Sequence, residues 1–178
     1  DFDVARGLKR LGFFPGSTIG NFSPSEAKDF LINARTTLGC GSYMLVGVDT
    51  KKSPLRLHKA YNDEDGVTAK FNLNILERIN GSFDSPFDLN TFEHYAYYNV
   101  RKGCIEMHLM SLQDQRVYLD EVAIDFSLGE CIHTESSYKY SPHEFKKLVE
   151  SAGWKVEKLW LAEEDLFSTF LLRYVNDT

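Results

Sequence analysis

The feature that most constrains this chain is a helix-start signal set between two apolar runs. Ser23-Pro24-Ser25-Glu26 combines a serine N-cap, a proline at the first helical position and a glutamate placed to close a capping box. Ala27, Phe30, Leu31, Ala34 and Leu38 then recur at helical spacing, and Gly39 is placed to end the helix. Before it, residues 10–15 read as a short buried strand stopped by Pro15-Gly16. After it, residues 43–48 form a nearly continuous apolar run, the pattern of a strand in a sheet covered by helices on both faces. Strand, helix and strand joined by short loops make a βαβ unit, so the two strands are expected to be parallel.

The same start device returns at Ser141-Pro142-His143-Glu144, followed by the apolar stripe Phe145, Leu148, Val149 and Ala152, with Gly153 as terminator. Residues 154–162 and 166–175 then read as an antiparallel strand pair, because Glu163-Glu164-Asp165 is too short for a crossover. The middle is built differently. Ser53-Pro54 opens a helix through Tyr61, and residues 66–79 form a second, with Val67, Phe71, Ile75 and Ile79 on one face. Asp84-Ser85-Pro86 reads as a turn. Beyond Thr91 the period changes to two, in residues 104–109, 115–119 and 130–137, which predicts an antiparallel meander. The fold class is α/β: a doubly wound layer from residues 1–50 and 139–178, interrupted by an inserted α+β subdomain over residues 51–138.

Composition narrows the function classes. A chain of 178 residues with 43% hydrophobic and 26% charged content supports its own core without metal or disulfide staples. No apolar run approaches the ~20 residues of a membrane-spanning helix. A net charge of −6 argues against nucleic-acid and anionic-membrane partners. Cys40, Cys104 and Cys131 form no C-x-x-C pair and no zinc spacing with the five histidines, so they read as reduced thiols of a cytoplasmic protein, and no metal site is expected. The chain begins Asp1-Phe2-Asp3, without an initiator methionine, and is expected to be a piece of something longer or a processed product.

Chemistry has two candidate locations. Gly16-Ser17-Thr18-Ile19-Gly20-Asn21 directly follows the first strand, and ligands of open parallel sheets bind beyond the carboxyl ends of the strands. Its glycines permit close backbone approach, and Asn21 offers both donors and an acceptor, although on spacing alone the plainer reading is that Asn21 caps a turn. Glu135 and Ser137, two apart on a strand, point the same way. A carboxylate plus a hydroxyl suits a cationic or doubly hydrogen-bonding group such as imidazole, while on a wet face they are ordinary surface residues. Met107 shares a strand face with Ile105 and Leu109, which core packing explains. Tyr61, at a helix end before a polar segment, is either half-buried packing or a phenol offered to a substrate.

The run Gly12-Phe13-Phe14-Pro15-Gly16-Ser17-Thr18-Ile19-Gly20-Asn21-Phe22 resembles the signature of the S-adenosylmethionine-dependent L-histidine Nα-methyltransferases, the first enzymes of ergothioneine synthesis. So do Ala60-Tyr61-Asn62-Asp63, the stretch from Gly66 to Asn74, Ile105-Glu106-Met107, and Gly129-Glu130 leading into Thr134-Glu135-Ser136-Ser137, in register along essentially the whole chain. The resemblance implies a Rossmann-like class I methyltransferase core, to which residues 1–50 and 139–178 contribute, and a substrate-binding subdomain at 51–138. It implies that Asn21 and Tyr61 hold the backbone of the amino-acid substrate, with Asn21 aiming the amine. Glu135 and Ser137 read the imidazole, Met107 shapes the same pocket, and Gly16 lies where the cofactor approaches. It implies S-adenosylmethionine as methyl donor and no metal, and histidine rather than the tryptophan-type substrates of related fungal enzymes. The family's glycine-rich cofactor loop, its ribose-holding acidic residue and its N-terminal substrate-site tyrosines are absent here. The chain alone is therefore expected to be inactive, a C-terminal part whose partner is the missing N-terminal segment. A non-catalytic amino-acid-binding module, one half of a two-chain enzyme and a related enzyme for another amino acid are the alternatives.

Overall fold

The computed structural model describes residues 8–83 and 86–175. Asp84 and Ser85 of the expected turn, and the Asp1-Phe2-Asp3 start, lie outside the described residues. In chain order the elements are β1 (Leu11–Phe14), α1 (Pro24–Leu38), β2 (Tyr43–Asp49), α2 (Pro54–Tyr61), α3 (Val67–Ser82), β3 (Phe92–Asn99) and β4 (Cys104–Ser111). They continue with β5 (Gln115–Leu119), β6 (Val122–Phe126), β7 (Cys131–Tyr138), α4 (Pro142–Ser151), β8 (Lys155–Leu161) and β9 (Phe167–Arg173). The chain divides into two compact units, one formed by Asp1–Lys52 with Ser136–Thr178 and the other by Ser53–Glu135.

In the first unit both capping boxes form. Ser23 Oγ accepts from the Glu26 amide at 3.3 Å while Glu26 Oε2 accepts from the Ser23 amide at 2.8 Å. Ser141 and Glu144 repeat the exchange at 3.2 and 2.8 Å. Each box satisfies two amides that a helix N-terminus otherwise leaves open. The sheet runs β1-β2-β9-β8, with β1 parallel to β2 and the other pairs antiparallel. Leu31 from α1, Phe145 and Val149 from α4, and Met44, Val46, Val48, Phe170 and Leu172 from the sheet close a core around Trp154. The fully buried indole donates to the Leu31 carbonyl at 2.9 Å, so its one polar atom is satisfied. The strand expected to be buried is instead an edge: β1 pairs with β2 alone among the described residues, and Leu11 and Phe13 are 59% and 68% exposed.

In the second unit the sheet β3-β4-β7 packs against α2 and α3 through two apolar clusters. One gathers Leu76, Phe87, Phe92, Leu109, Val117 and Phe126, the other Leu57, Ala96, Ile105 and Met107. Two expectations fail here. The meander is interrupted, because β5 and β6 form a separate two-stranded hairpin between β4 and β7. The expected apolar face of α3 is turned outward at its start, with Val67 and Phe71 64% and 61% exposed. Residues four apart advance about 40° around a helix of 3.6 residues per turn, so the stripe from Val67 drifts off the packed side and only Ile79 reaches it, beside Asn72, Leu73 and Leu76. No described helix is long and apolar enough to cross a membrane.

Candidate functional site

At the carboxyl end of β1 the chain turns through Gly16 (φ 77°) and Ser17 (φ 60°), both left-handed, and enters a single 3₁₀ turn over Thr18–Asn21. Three attachments hold this loop. Ser17 Oγ accepts from the Asp49 amide at the end of β2 (2.8 Å), the Gly20 amide donates back to the Ser17 carbonyl (2.9 Å), and Ile19 is fully buried in the core. Gly20 sits against the end of β7: a Cβ there would lie 2.8 Å from the Tyr138 carbonyl oxygen and 3.6 Å from Ser137 Oγ. Only glycine permits that approach. A Cβ on Gly16, by contrast, would meet no atom within 4 Å, so its backbone faces open space, and Asn21 is exposed at the end of the turn.

Ser137, on β7, is 6% exposed, and Lys139 just beyond it is 2% exposed. The Lys139 ammonium donates to Ser137 Oγ at 2.8 Å and pairs with Asp49 Oδ2 at 2.9 Å, while Lys52 holds the other Asp49 oxygen. A buried cation is thereby compensated by a carboxylate and a hydroxyl, as burial requires. Within this unit the structure brings together the Gly20 turn and Ser137. Glu135, two residues earlier on the same strand, is half-buried and is the last residue of the second unit.

Tyr61 and Met107 belong to the second unit, where Tyr61 is half-buried against the cluster containing Leu57, Ala96, Ile105 and Met107. Its place is set by its neighbours. Asn62 clasps the Ala96 backbone from both sides, at 3.0 and 3.3 Å. The Asn72 amide nitrogen donates to the His108 carbonyl (2.9 Å) and lies 3.0 Å from His94 Nδ1, so Nδ1 is the acceptor, Nε2 carries the proton, and Nε2 donates to the Tyr61 carbonyl at 2.8 Å.

Glu106 is a buried carboxylate on β4. Lys102 (2.8 Å), Tyr97 (2.6 Å) and Asn99 (3.0 Å) all donate to it and hold its pKa at about 2, below the ordinary 4.5. Thr134 Oγ1 donates to the Met107 carbonyl at 3.0 Å and the His133 ring lies 5.1 Å from that of His108, so Glu135 falls opposite Glu106 on the neighbouring strand. A depressed carboxyl pKa stabilises the fold above the unfolded value and loses that contribution as pH falls toward the folded one. Unfolding stability is therefore expected to drop as pH falls from about 4.5 toward 2. Asp63, also held at about 2 by the amides and side chain at the start of α3, adds to the same slope. The readout is the difference between the native chain and Glu106→Gln in urea titrations across this range. Identical slopes would remove Glu106 from the account.

Lys139 and Asp49 carried no expectation from sequence, although each left a trace. Lys139 continues the same-face alternation of Glu135 and Ser137, and Asp49 is the charged residue that ends the apolar run of β2. Among the described residues no group of three His, Cys, Asp or Glu side chains is placed to hold a metal ion.

Comparison with known proteins adds an independent line. The family described as "Histidine-specific methyltransferase, SAM-dependent" matches residues 2–174. A histidine N-alpha-methyltransferase of Mycobacterium tuberculosis is 36% identical over 171 residues, covering 95% of this chain and 53% of that protein. One from Mycolicibacterium smegmatis is 39% identical over 154 residues, covering 85% and 48%. An L-tryptophan methyltransferase of Psilocybe serbica is 29% identical over 166 residues, covering 92% and 46%. The chain thus spans about half the length of these curated relatives.

Proposed function

The chain belongs to the SAM-dependent, histidine-specific methyltransferase family, and from that membership we propose that it is the C-terminal part of a cytoplasmic enzyme that trimethylates the α-amino group of L-histidine. The observation that carries this reading is the seating of Gly20 against the end of β7. The loop that presents Asn21 and the strand that presents Ser137 meet within one unit, as a site for a single amino acid requires.

In this reading Asn21 and Tyr61 hold the substrate's carboxylate and amine, and Asn21 directs the amine lone pair. Glu135 accepts from an imidazole N–H, Ser137 completes the ring's hydrogen bonding, and Met107 gives the pocket an apolar wall. Gly16, with open space where a side chain would be, fits close approach of the cofactor. When bound, S-adenosylmethionine supplies an electrophilic methyl group. The unprotonated amine would take that methyl, with S-adenosylhomocysteine as the leaving group and one amine proton lost for each methyl gained. These residues act by positioning, which contributes up to ~7–11 kcal/mol where both reactants are held in attack geometry. In this reading the remaining cofactor-binding elements lie in the part of the relatives' length that this chain does not cover, and the 178 residues by themselves are expected to be inactive.

Incubating the full-length polypeptide with L-histidine and S-adenosylmethionine is expected to yield Nα-trimethylhistidine by mass spectrometry, with L-tryptophan as the control substrate. Absence of methylated histidine, or preferential turnover of tryptophan, would overturn the substrate assignment. Titration of the isolated chain with S-adenosylmethionine is expected to show no tight binding. Micromolar affinity would overturn the division of labour between the two segments.

A further inference from the structure

We propose that the cavity where α1 ends and both parallel strands begin is a second binding site of the first unit, one that takes a small carboxylate on a short apolar body. It lies at the opposite end of β1 from the Gly16–Asn21 turn, about 20 Å away at the rise of an extended strand, and it stands independently of the substrate reading.

The cavity has a volume of about 380 Å³, within the range of small-molecule sites. The approach to β1 supplies Leu8, Lys9 and Arg10 to its wall, and the run from Leu38 to Ser42, which joins α1 to β2, supplies the rest. All of these residues belong to one compact unit. Among the described residues its lining holds two cations and no carboxylate, in a chain whose net charge is −6. Such a lining attracts anions. The carboxyl end of a helix ordinarily repels them, because its last carbonyls carry partial negative charge. Here Arg10 Nη1 donates to the carbonyls of Thr37 and Leu38, each at 3.2 Å, and offsets that charge. The Lys9 ammonium lies 5.3 Å from the ring centre of Tyr43, the residue after Ser42.

Ser42 is the residue that points to a ligand. It is 2% exposed, and among the described residues its hydroxyl has no hydrogen-bond partner. Its backbone is pinned. The Ser42 amide donates to the Gly39 carbonyl at 3.3 Å and its carbonyl accepts from the Tyr174 amide at 3.0 Å. On either side, the Gly41 and Tyr43 amides donate to the Tyr174 and Arg10 carbonyls, both at 2.9 Å. A buried hydroxyl left unpaired destabilises a fold, and a carboxylate oxygen would give it a charge-assisted acceptor. There is room for one. A Cβ on Gly41 would meet nothing within 4 Å, and one on Gly39 only Arg10 Nη1 at 3.8 Å. The volume exceeds what a carboxylate alone fills, and Leu8 and Leu38 offer apolar surface to a short carbon chain. Phosphate would set charge against that surface, which favours the carboxylate.

Cys40, exposed at the cavity, makes occupancy measurable. Iodoacetate carries the carboxylate and alkylates a thiolate, the S–C bond forming as iodide leaves. Iodoacetamide is its neutral counterpart. In the full-length protein, modification of Cys40 followed by peptide mass spectrometry is expected to saturate with iodoacetate concentration and to stay linear with iodoacetamide. Sodium propionate is expected to slow the iodoacetate reaction at Cys40 and to leave Cys131, also exposed, unaffected. Mere attraction of the reagent to Lys9 and Arg10 predicts a linear rate, and equal slowing by propionate and chloride at one ionic strength. That result would overturn the proposal. Protection by inorganic phosphate as strong as that by propionate would overturn the choice of carboxylate. Ser42→Ala is expected to raise the half-saturating iodoacetate concentration about tenfold, the scale of one charge-assisted hydrogen bond. Its urea midpoint is expected to be unchanged or higher, because an unpaired polar atom has been removed. An unchanged half-saturating concentration, or a lower midpoint, would mean that Ser42 serves the fold and not a ligand.

Discussion

Replacing Glu135 with alanine in the full-length protein is expected to lower kcat/KM for histidine by about 10²–10³-fold, with KM for S-adenosylmethionine unchanged. The size follows from what is left behind. A ring N–H that has given up water on entering the site loses its acceptor, at a cost of roughly 2–4 kcal/mol for a charge-assisted bond in a buried setting. Position supports the role. Glu135 is half-buried and shares its strand face with Ser137. Opposite it is Glu106, whose charge is already taken up by Lys102, Tyr97 and Asn99 and which is therefore not a spare acceptor. Glu135→Gln keeps an acceptor of the same length and is expected to lose less than alanine. Steady-state kinetics with each substrate varied in turn separates the two cases. A change below threefold in the alanine variant would mean that the imidazole is read elsewhere.

How much of this was legible in the sequence depended on how far apart the deciding groups lie along the chain. α1 and α4 were readable at their first residues because a capping box is closed within four residues, whereas α4 stops at Ser151, short of the expected Gly153. The parallel pairing of β1 with β2 followed from the short connections around α1. Period two placed Glu135 and Ser137 on one face. What failed was everything that depends on a neighbour. Leu11 and Phe13 are apolar, and apolarity states a preference for burial without supplying the element that would cover them. Val67, Phe71, Ile75 and Ile79 were grouped by a spacing of four that drifts around the helix, and the sheet took the Asn72–Leu76 side. β3 went unseen because in Phe92–Asn99 aromatic residues occupy both faces and blur the alternation. Lys139 was invisible for the opposite reason: its buried state depends on Asp49, ninety residues earlier, and no local pattern announces that a lysine will be enclosed.

Gly20→Ala is expected to reduce kcat/KM by about 10²-fold while lowering stability by only about 1–3 kcal/mol, because the added methyl displaces backbone at the site rather than dismantling the core. An alanine Cβ there would sit 2.8 Å from the Tyr138 carbonyl oxygen, a backbone atom of a sheet strand that cannot swing aside as a side chain can. The turn must move instead, and it is short. Asn21 follows Gly20 directly, so a displacement of a few tenths of an ångström or more passes to the side-chain amide that we propose aims the amine. Gly16→Ala is the informative contrast. The methyl meets nothing within 4 Å, and the cost is the left-handed φ of 77°, about 1 kcal/mol of backbone strain. Gly16→Ala is therefore expected to leave KM for histidine nearly unchanged and to act on cofactor affinity, whereas Gly20→Ala acts on kcat with histidine saturating. Urea unfolding together with both KM values distinguishes the two variants. If Gly20→Ala were as active as the native protein, the contact between the turn and β7 would not govern how the amine is aimed, and Asn21 would lose its place in the mechanism.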